Sequence, residues 1–283
     1  YNASGTKGTR ISSSKPLMGD GLALQNIPVR ESKGIKNIRD MFRAGPGNVF
    51  VKCDLRQAET MVVAHILRRL GDNTLYDLYQ DPNFDIHKWS GTFIFGGSTE
   101  DITKAQRDIA KVRNHSGNYM AGPRVMMSEA LKYNVDGVDY TMAQKMIESG
   151  HRAIPGLRIW WHDVERRIRS TRTLYTCLER RRIFFGRFDN TTFRDAVSYE
   201  PQSTVGDVCN RIFTRLSNTL KDGCSPLLQV HDECVVECPK GDANYVVGRM
   251  REAAHITLRV SDKPFIIPLD ISVGKNWKEC VEI

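Results

Sequence analysis

The chain has 283 residues, of which 40% are hydrophobic and 26% are charged, a composition typical of a globular protein with a sizeable core. Its 41 Lys and Arg residues outnumber its 33 Asp and Glu residues, and the net charge of +8 favours a polyanionic partner without requiring one. Because no apolar run approaches the roughly 20 residues that span a bilayer, and because the polar N-terminal stretch lacks the layout of a secretion signal, we expect no membrane association.

The cysteines indicate a reducing compartment. There are seven, an odd number, scattered along the chain without the paired short spacing of a zinc site. Cys234 and Cys238 are four residues apart, but in a strand-like run that spacing only places both on one face. We therefore expect a cytoplasmic or other intracellular location, which is the host cytoplasm if the source is a virus.

The first predicted elements follow a loop-like opening segment. Residues 1–48 are rich in Gly, Ser and Lys and predict extended loop. Residues 49–53 predict a strand that ends at Asp54, and apolar residues at helical spacing predict a helix over 59–70. The local order is therefore strand, carboxylate, helix.

A mostly helical insertion comes next. From residue 85 to about residue 187 the apolar residues recur at helical spacing, with breaks at Gly96-Gly97 and Pro155-Gly156. The C-terminal part then changes pattern. Its predicted elements are a helix over 205–220 and strands over 227–230, 234–238 and 265–273, with His231-Asp232-Glu233 as a hairpin turn between the first two strands. We expect these strands to share one antiparallel sheet.

Two of these elements end in carboxylates. A sheet that joins the predicted strands would bring Asp54 and Asp232 together with no Lys between them. Oxygen ligands with open positions suit Mg²⁺, whose remaining ligands are commonly waters and substrate phosphates. Taken alone, each Asp is better explained as a turn residue that forms local hydrogen bonds. The neighbours of each Asp decide between these two interpretations.

Residues 102–120 predict an amphipathic helix with an unusual polar stripe. Four residues spaced four apart share one face, since each step advances roughly 40 degrees. They are Arg107, Lys111, His115 and Tyr119, and opposite them lie Ile109, Val112 and Met120. Such a face normally turns to water, but two cations followed by two rings also match a nucleoside triphosphate. His87 adds a potential donor, although a lone His is more often structural.

These residues occur in an order similar to that of the bacterial DNA polymerase I family, family A, over nearly the whole chain. The strings QNIPVR and QVHDE are the most specific. The matching segments are Arg10-Ile11-Ser12-Ser13, Leu24-Gln25-Asn26-Ile27-Pro28-Val29-Arg30, Asp54-Leu55-Arg56-Gln57-Ala58-Glu59, Asp85-Ile86-His87, Arg107 to Tyr119, Gln202-Ser203-Thr204, Gln229-Val230-His231-Asp232-Glu233 and Val273-Gly274-Lys275-Asn276-Trp277.

The resemblance implies an α+β right-hand polymerase fold with an antiparallel-sheet palm and a mostly helical fingers insertion. It assigns residues 1–83 and 190–283 to the palm and 84–189 to the fingers, with the thumb largely absent. The chain would be a monomer, of a divergent, viral or phage-like kind, and an excerpt of a longer chain with upstream thumb and exonuclease domains.

The resemblance also implies a DNA-directed DNA polymerase, a nucleotidyltransferase of DNA replication. It would add deoxynucleotides from their triphosphates to a primer 3′-hydroxyl on primer-template DNA and release pyrophosphate. Asp54 and Asp232 would hold two Mg²⁺ ions, with Mn²⁺ as a substitute, and Lys111 would donate a proton to pyrophosphate. The implied nucleotide-binding residues are His87, Arg107, Lys111, His115, Tyr119 and Glu59. The implied primer and template contacts are Arg10, Asn26, Arg30, Arg194, Gln202 and His231. Arg180, Arg181 and Arg182 are further candidates for phosphate contacts, equally well explained as solvated charge.

Four residues depart from the family pattern. His115-Ser116 stands where the family usually has an aromatic residue followed by Gly, so the stacking surface is smaller and titratable. Arg56 stands where a small Ser is typical and Met61 where Arg is typical. We therefore expect rearranged ion pairs beside Asp54.

Two other classes remain as alternatives. A nucleic-acid-binding fragment without catalysis would not need Asp54, Asp232 and Lys111 together. A polymerase that prefers an RNA template, a reverse transcriptase, is not distinguished by these residues. A small-molecule phosphotransferase is disfavoured because the chain has no GxxxxGK[ST] loop.

Overall fold

The structure is a computed structural model that describes Ile27 and residues 37–283. The predicted contacts of Arg10, Asn26 and Arg30 therefore lie outside the described residues. Within the described ranges the chain has an α+β fold of helices and antiparallel strands. None of the helices in these ranges is long and apolar enough to cross a membrane.

In the described part of the chain, seven successive helices follow the first strand, and the other strands come later. The strands are β1 (Asn48–Leu55), β2 (Thr173–Tyr175), β3 (Arg181–Ile183), β4 (Ser225–Val230), β5 (Glu233–Pro239), β6 (Leu269–Gly274) and β7 (Val281–Glu282). The helices are α1 (Ala58–Arg69), α2 (Thr74–Leu78), α3 (Ile86–Phe95), α4 (Lys104–Gly117), α5 (Pro123–Lys132), α6 (Tyr140–Ala153), α7 (Gly156–Thr171), α8 (Asn190–Thr219) and α9 (Ala243–Ala253).

Contacts divide the described chain into two compact units. The sheet unit comprises the described residues up to Val62, together with Thr176–Arg180 and Tyr199–Ile283. The helical unit comprises Val63–Tyr175 and Arg181–Ser198.

The sheet unit is built on a five-stranded antiparallel sheet in the order β4-β5-β1-β6-β7. The central strand β1 is largely buried, and it pairs on both sides, with β5 and with β6. One core cluster of this unit consists of Ile27, Phe50, Val230, Val235 and Trp277. Burying such side chains contributes about 1.5–3 kcal/mol each. The alternating and apolar strand patterns in the sequence therefore predicted this sheet correctly.

The hairpin between β4 and β5 is tighter than predicted. Its turn contains only His231 and Asp232, because Glu233 already belongs to β5. His231 has φ +53°, the left-handed backbone that two-residue hairpins require to match the twist of their strands. The Leu55 N–H donates to the Asp232 carbonyl at 3.2 Å and so ties the turn to β1.

The helical unit packs α3, α4, α5 and α6 around an apolar core. Asp85 caps α3 by accepting from the backbone N–H groups of His87 and Lys88. Thr103 and Gln106 form a capping box at the start of α4, and each satisfies a backbone group of the other. The predicted break at Gly96 is confirmed, because Gly96 follows the end of α3 with φ +85°.

Several predicted bounds were wrong. The helix predicted over 205–220 is α8, which begins at Asn190 and contains Pro201 in its interior. The strand predicted over 265–273 begins only at Leu269. The short hairpin of β2 and β3 and the helix α9 were missed. Weak periodicity over so few residues explains the first omission.

Candidate active site

The first candidate site is a row of carboxylates on one face of the five-stranded sheet. Asp54 of β1 lies opposite Glu233 of β5 and opposite Asp270 of β6. Directly opposite residues in antiparallel strands project to the same face, so all three side chains share it. Asp232 joins them from the hairpin turn. Asp54, Glu233, Asp270 and His231 line a cavity of about 410 Å³.

Two of these carboxylates have cations of their own. The Lys52 Nζ lies 3.3 Å and the Arg39 Nη1 3.5 Å from the Glu233 carboxylate, and the Trp277 Nε1 donates to it at 2.6 Å. The Arg56 Nε donates to Asp270 Oδ1 at 2.8 Å. The rearranged ion pair that we expected beside Asp54 is therefore the pair between Arg56 and Asp270.

Asp54 has a different environment. Among the described residues none forms an ion pair with it. Its side chain opens to the cavity, but the surrounding protein displaces water on its other sides. This desolvation, followed by the charges of Asp232, Glu233 and Asp270, raises the pKa of Asp54 from 3.8 to about 7. A cation bound beside Asp54 would offset the negative charge of these carboxylates and would lower the pKa of Asp54 again.

The donor set fits a hard, partly hydrated cation. No group of three or more His, Cys, Asp or Glu residues in the described part of the chain is arranged to enclose a metal ion. Asp54 and Asp232 are thus two oxygen donors without a protein cage. That arrangement suits Mg²⁺, which keeps several waters and uses one or two carboxylates with substrate phosphates.

Glu59 and Gln202 lie close together in the sheet unit. Glu59 is in the first turn of α1, and the Gln202 Nε2 donates to Glu59 Oε2 at 3.5 Å. The two residues were predicted for separate roles, Glu59 for nucleotide binding and Gln202 for a contact with primer or template. The structure joins them by a long hydrogen bond.

The second candidate site lies in the helical unit, at the start of α3 and along α4. Arg107 Nε donates to Asp85 Oδ2 at 2.7 Å. Partial burial alone would raise the pKa of Asp85, but this hydrogen bond, with backbone N–H groups of Lys88 and His87, holds it below its ordinary value. Arg107, predicted to bind phosphate, is therefore also held in place by a carboxylate.

His87 is a buried, neutral imidazole at this site. Only 7% of its surface is exposed. Burial, followed by the charges of His115 and Arg107, lowers the pKa of His87 to about 3. Its ring lies 5.7 Å, centroid to centroid, from the ring of the exposed His115. The Asn114 Nδ2 lies 3.0 Å from His87 Nδ1.

The predicted stripe on α4 is correct for three of its four members. Arg107, Lys111 and His115 lie on α4, whose opposite face buries Ile109 and Val112. The prediction that this helix continues to residue 120 was wrong. The helix ends at Gly117, so Tyr119 lies in a turn where its N–H donates to the Ser116 carbonyl, and Met120 has φ +62°.

The remaining arginines divide into two groups. Arg180 Nε donates to Asp207 at 2.8 Å, and Arg182 lies 3.4 Å from Asp195. These two residues are used within the fold, which weighs against their prediction as phosphate contacts. Arg181 and Arg194 are exposed.

Sequence reasoning missed residues that the fold brings to both sites. They are Arg39, Lys52 and Asp270 at the carboxylate row, and Ser90 and Arg113, which form hydrogen bonds with the Asn114 side chain. Lys52 had a signal, because it precedes Asp54 by two residues and so projects to the same face of β1. Asp270 had none, because its position depends on the register of β6.

Comparison with known proteins decides the family. The sequence profile of DNA polymerase family A matches residues 1–279. The chain belongs to DNA polymerase family A. Family membership accounts for the order of the motifs along the whole chain, including the QVHDE string that forms the β4–β5 turn.

Curated members of family A resemble the chain over its full length. It is 30% identical to a thermostable DNA polymerase I of Thermus thermophilus, an alignment that covers 100% of this chain and 32% of that protein. It is 28% identical to DNA polymerase I of Chloroflexus aurantiacus, covering 99% of this chain and 28% of that one. The chain thus spans about a third of the length of these relatives.

A solved structure shows the same fold. The POL domain of Pol1 from M. smegmatis, in complex with DNA primer-template and dNTP, matches with a TM-score of 0.77 and 23% identity. The match covers 98% of this chain and 47% of that one. The chain therefore has the fold of a polymerase domain, as its family implied.

Proposed function

We propose that this chain is the palm and fingers part of a template-directed DNA polymerase, which adds deoxynucleotides to a primer 3′-hydroxyl and releases pyrophosphate. The observation that carries the proposal is Asp54, whose pKa is raised to about 7 beside Asp232 on an exposed sheet face. Enzymes that handle phosphates through bound cations need such a concentration of negative charge. A protein that only binds nucleic acid does not.

The proposed palm is residues 1–83 and 190–283, and the proposed fingers are residues 84–189. The division of contacts supports this assignment in part, since residues 84–175 and 181–189 lie in the helical unit. Residues 63–83 and 190–198 also lie in that unit, and only the resemblance assigns them to the palm. Deoxynucleoside triphosphates and primer-template DNA are the proposed partners.

In the palm, Asp54 and Asp232 would hold Mg²⁺. Once bound, the ions would neutralise charge on phosphate oxygens and would make the primer 3′-hydroxyl more acidic. Glu233 and Asp270 do not take this role, because Lys52, Arg39 and Arg56 already compensate their charge. Glu59 would restrict the sugar, and Gln202 and His231 would contact the primer end.

In the fingers, Arg107, Lys111 and His87 would bind the triphosphate. Arg107 is preoriented by Asp85, which lowers the entropy lost when it binds an anion. Lys111 is the proposed proton donor to pyrophosphate. His115 and Tyr119 would provide the surface for the sugar and base, and Arg194 would contact a backbone phosphate.

Primer extension tests the proposal. The chain is incubated with a primed DNA template, Mg²⁺ and four deoxynucleoside triphosphates, and compared with Asp232→Asn and with Asp222→Asn as a matched control. Asp222 is exposed and lies outside both candidate sites. We expect Asp232→Asn to lower the extension rate about 100-fold or more, with duplex binding retained, and Asp222→Asn to leave the rate unchanged.

Two outcomes would contradict the proposal. If the chain binds primer-template DNA but extends no primer, a non-catalytic binding role is the better account. If it extends a primer on an RNA template faster than on a DNA template of the same sequence, it is a reverse transcriptase.

A further inference from the structure

We propose that Arg113 is a positioning residue that turns the Asn114 side-chain amide and thereby keeps the ring proton of His87 on Nε2. The three residues belong to the helical unit and form one chain of hydrogen bonds between α4 and α3. The consequence for nucleotide binding rests on the proposed function; the hydrogen-bond argument does not.

Arg113 is a buried cation. Only 2% of its surface is exposed, and no carboxylate in the described ranges forms an ion pair with it. Burial lowers its pKa to about 10, so it stays protonated at neutral pH. A guanidinium has donors and no acceptor. Its Nη1 lies 2.7 Å from the side-chain oxygen of Asn114, and this contact must therefore be a donation to Oδ1.

The fold makes room for this guanidinium. Gly150 lies on the neighbouring helix α6, and a Cβ at that position would overlap the Nη2, Nε and Cζ atoms of Arg113. The buried position of Arg113 thus depends on two helices. Burying a charge without a carboxylate partner lowers the stability of the fold. A role in stability therefore does not explain Arg113, whereas a role in orienting a neighbouring group does.

Fixing Oδ1 of Asn114 also fixes its Nδ2. With Oδ1 facing Arg113, Nδ2 lies 2.8 Å from Ser90 Oγ, 3.0 Å from His87 Nδ1 and 3.3 Å from the Ile86 carbonyl. An amide nitrogen donates only. His87 Nδ1 must therefore accept, since a proton on it would face another donor.

A neutral imidazole carries one ring proton. His87 is neutral because burial, with His115 and Arg107 nearby, lowers its pKa to about 3. With Nδ1 accepting from Asn114, that proton lies on Nε2. Under the proposed function, Nε2–H is a donor for a phosphate oxygen of the incoming nucleotide. The opposite tautomer would present a lone pair to that oxygen and repel it.

Nitrogen NMR of protein labelled with ¹⁵N-histidine measures the tautomer directly. The His87 signals are assigned by their loss in His87→Gln. In the parent protein at pH 7 we expect an unprotonated Nδ1 and a protonated Nε2. A protonated Nδ1 in the parent protein would overturn the proposal.

Asn114→Asp is the decisive variant. It keeps the size of the side chain, gives the buried Arg113 a carboxylate partner and presents only acceptor atoms to His87. We expect the single ring proton to move from Nε2 to Nδ1, which leaves Nε2 without a proton. An Nδ1 that stays unprotonated in folded Asn114→Asp would show that Asn114 does not set the tautomer.

A matched pair at position 113 separates hydrogen bonding from charge. Arg113→Gln keeps an N–H donor without the charge, and Arg113→Met removes both at similar volume. We expect the parent tautomer in Arg113→Gln and a mixture of tautomers in Arg113→Met. An unmixed Nε2–H tautomer in Arg113→Met would overturn the role of Arg113. If Arg113→Met does not fold, Gly150→Ala replaces it, because the added methyl group displaces the same guanidinium. A mixture of tautomers is again expected, and an unmixed Nε2–H tautomer would again overturn the role of Arg113.

The kinetic consequence is measured separately. In primer extension we expect Asn114→Asp to raise the KM for deoxynucleoside triphosphate about tenfold, the loss of one charge-assisted hydrogen bond, with less change in kcat. A chain that extends no primer contradicts the proposed function. The NMR measurement would still determine the tautomer of His87 in that case. An altered tautomer with an unchanged KM overturns the phosphate-donor role of Nε2–H.

Discussion

Asp54 and Glu233 lie directly opposite each other on β1 and β5, yet within the described residues only Glu233 of the two forms ion pairs, with Arg39 and Lys52. The sheet thus places two carboxylates at adjacent positions and compensates one of them. Like charges opposite each other destabilise a sheet. The ionised form of Asp54 therefore destabilises the fold, and under the proposed function a bound cation would offset this cost.

Replacing Asp54 should have opposite effects on activity and on stability. The pKa of Asp54 is raised from 3.8 to about 7, so the ionised form is disfavoured in the folded state, and its contribution to stability falls as pH rises from about 4 to about 7. We expect Asp54→Asn to abolish primer extension and, at pH 8 with chelator, to raise the free energy of unfolding by on the order of 1 kcal/mol. The small value allows for solvent screening of an exposed group.

Urea titrations of the parent protein, Asp54→Asn and the exposed control Asp222→Asn would measure this difference. Asp54→Asn unfolding at a lower urea concentration than the parent protein would contradict it.

Glu233 should behave in the opposite way. It is close to Lys52 and Arg39 and accepts from Trp277, all within the sheet unit. Removing its charge leaves two cations without their partner, and breaking such a buried pair costs about 3–5 kcal/mol. We expect Glu233→Gln to lower the free energy of unfolding by about 3 kcal/mol. Denaturation of the exposed control Glu282→Gln should match the parent protein, and equal stability of both variants would refute the argument.

Acid should destabilise the helical unit through His87. Its pKa falls from 6.5 to about 3 on folding, so its contribution is fully present above pH 6.5 and is lost as pH falls toward 3. The groups that act on the ring are His115, Arg107, Lys111 and Asp85. We expect this residue to contribute a slope of up to about 1.4 kcal/mol per pH unit between pH 5 and 6.

His87→Gln should flatten the profile in that window, measured by denaturant unfolding at each pH. The control is His255→Gln, which changes an exposed histidine. Parallel profiles for parent protein and His87→Gln would show that His87 is not buried in its neutral form.

Gly150 offers a test of packing against Arg113. An added Cβ would overlap the guanidinium, and overpacking of this kind costs about 1–3 kcal/mol. On α9, a Cβ at Gly248 would meet no atom within 4 Å. Thermal unfolding should therefore show Gly150→Ala below the parent protein and Gly248→Ala equal to it or above it by up to about 1 kcal/mol. Equal effects of the two variants would exclude a specific clash.

The sequence predicted the parts of the fold that depend on local pattern. The strand before Asp54, the helix after it and the hairpin at Asp232 all follow from periodicity and turn chemistry. The face of α4 was predicted for the same reason. The roles assigned to individual site residues remain predictions.

What could not be predicted depends on contacts between distant segments. Asp270 lies opposite Asp54 only because β6 pairs with β1 in one particular register. Arg113 would be expected on a solvated face, and its burial depends on Gly150 from another helix. The interior Pro201 of α8 hid the first half of that helix, because proline usually ends a helix.

The left-handed backbone of His231 affects how mutational scans of this region should be interpreted. Glycine adopts such a conformation freely and asparagine does so at small cost, whereas a β-branched side chain opposes it. A valine at this position would thus strain the turn that carries Asp232, and lost activity would report on the backbone as well as on the missing imidazole. Asparagine is the better replacement, because it removes the imidazole and tolerates the positive φ. Without an asparagine variant, a loss of activity caused by backbone strain would be attributed to the loss of the imidazole.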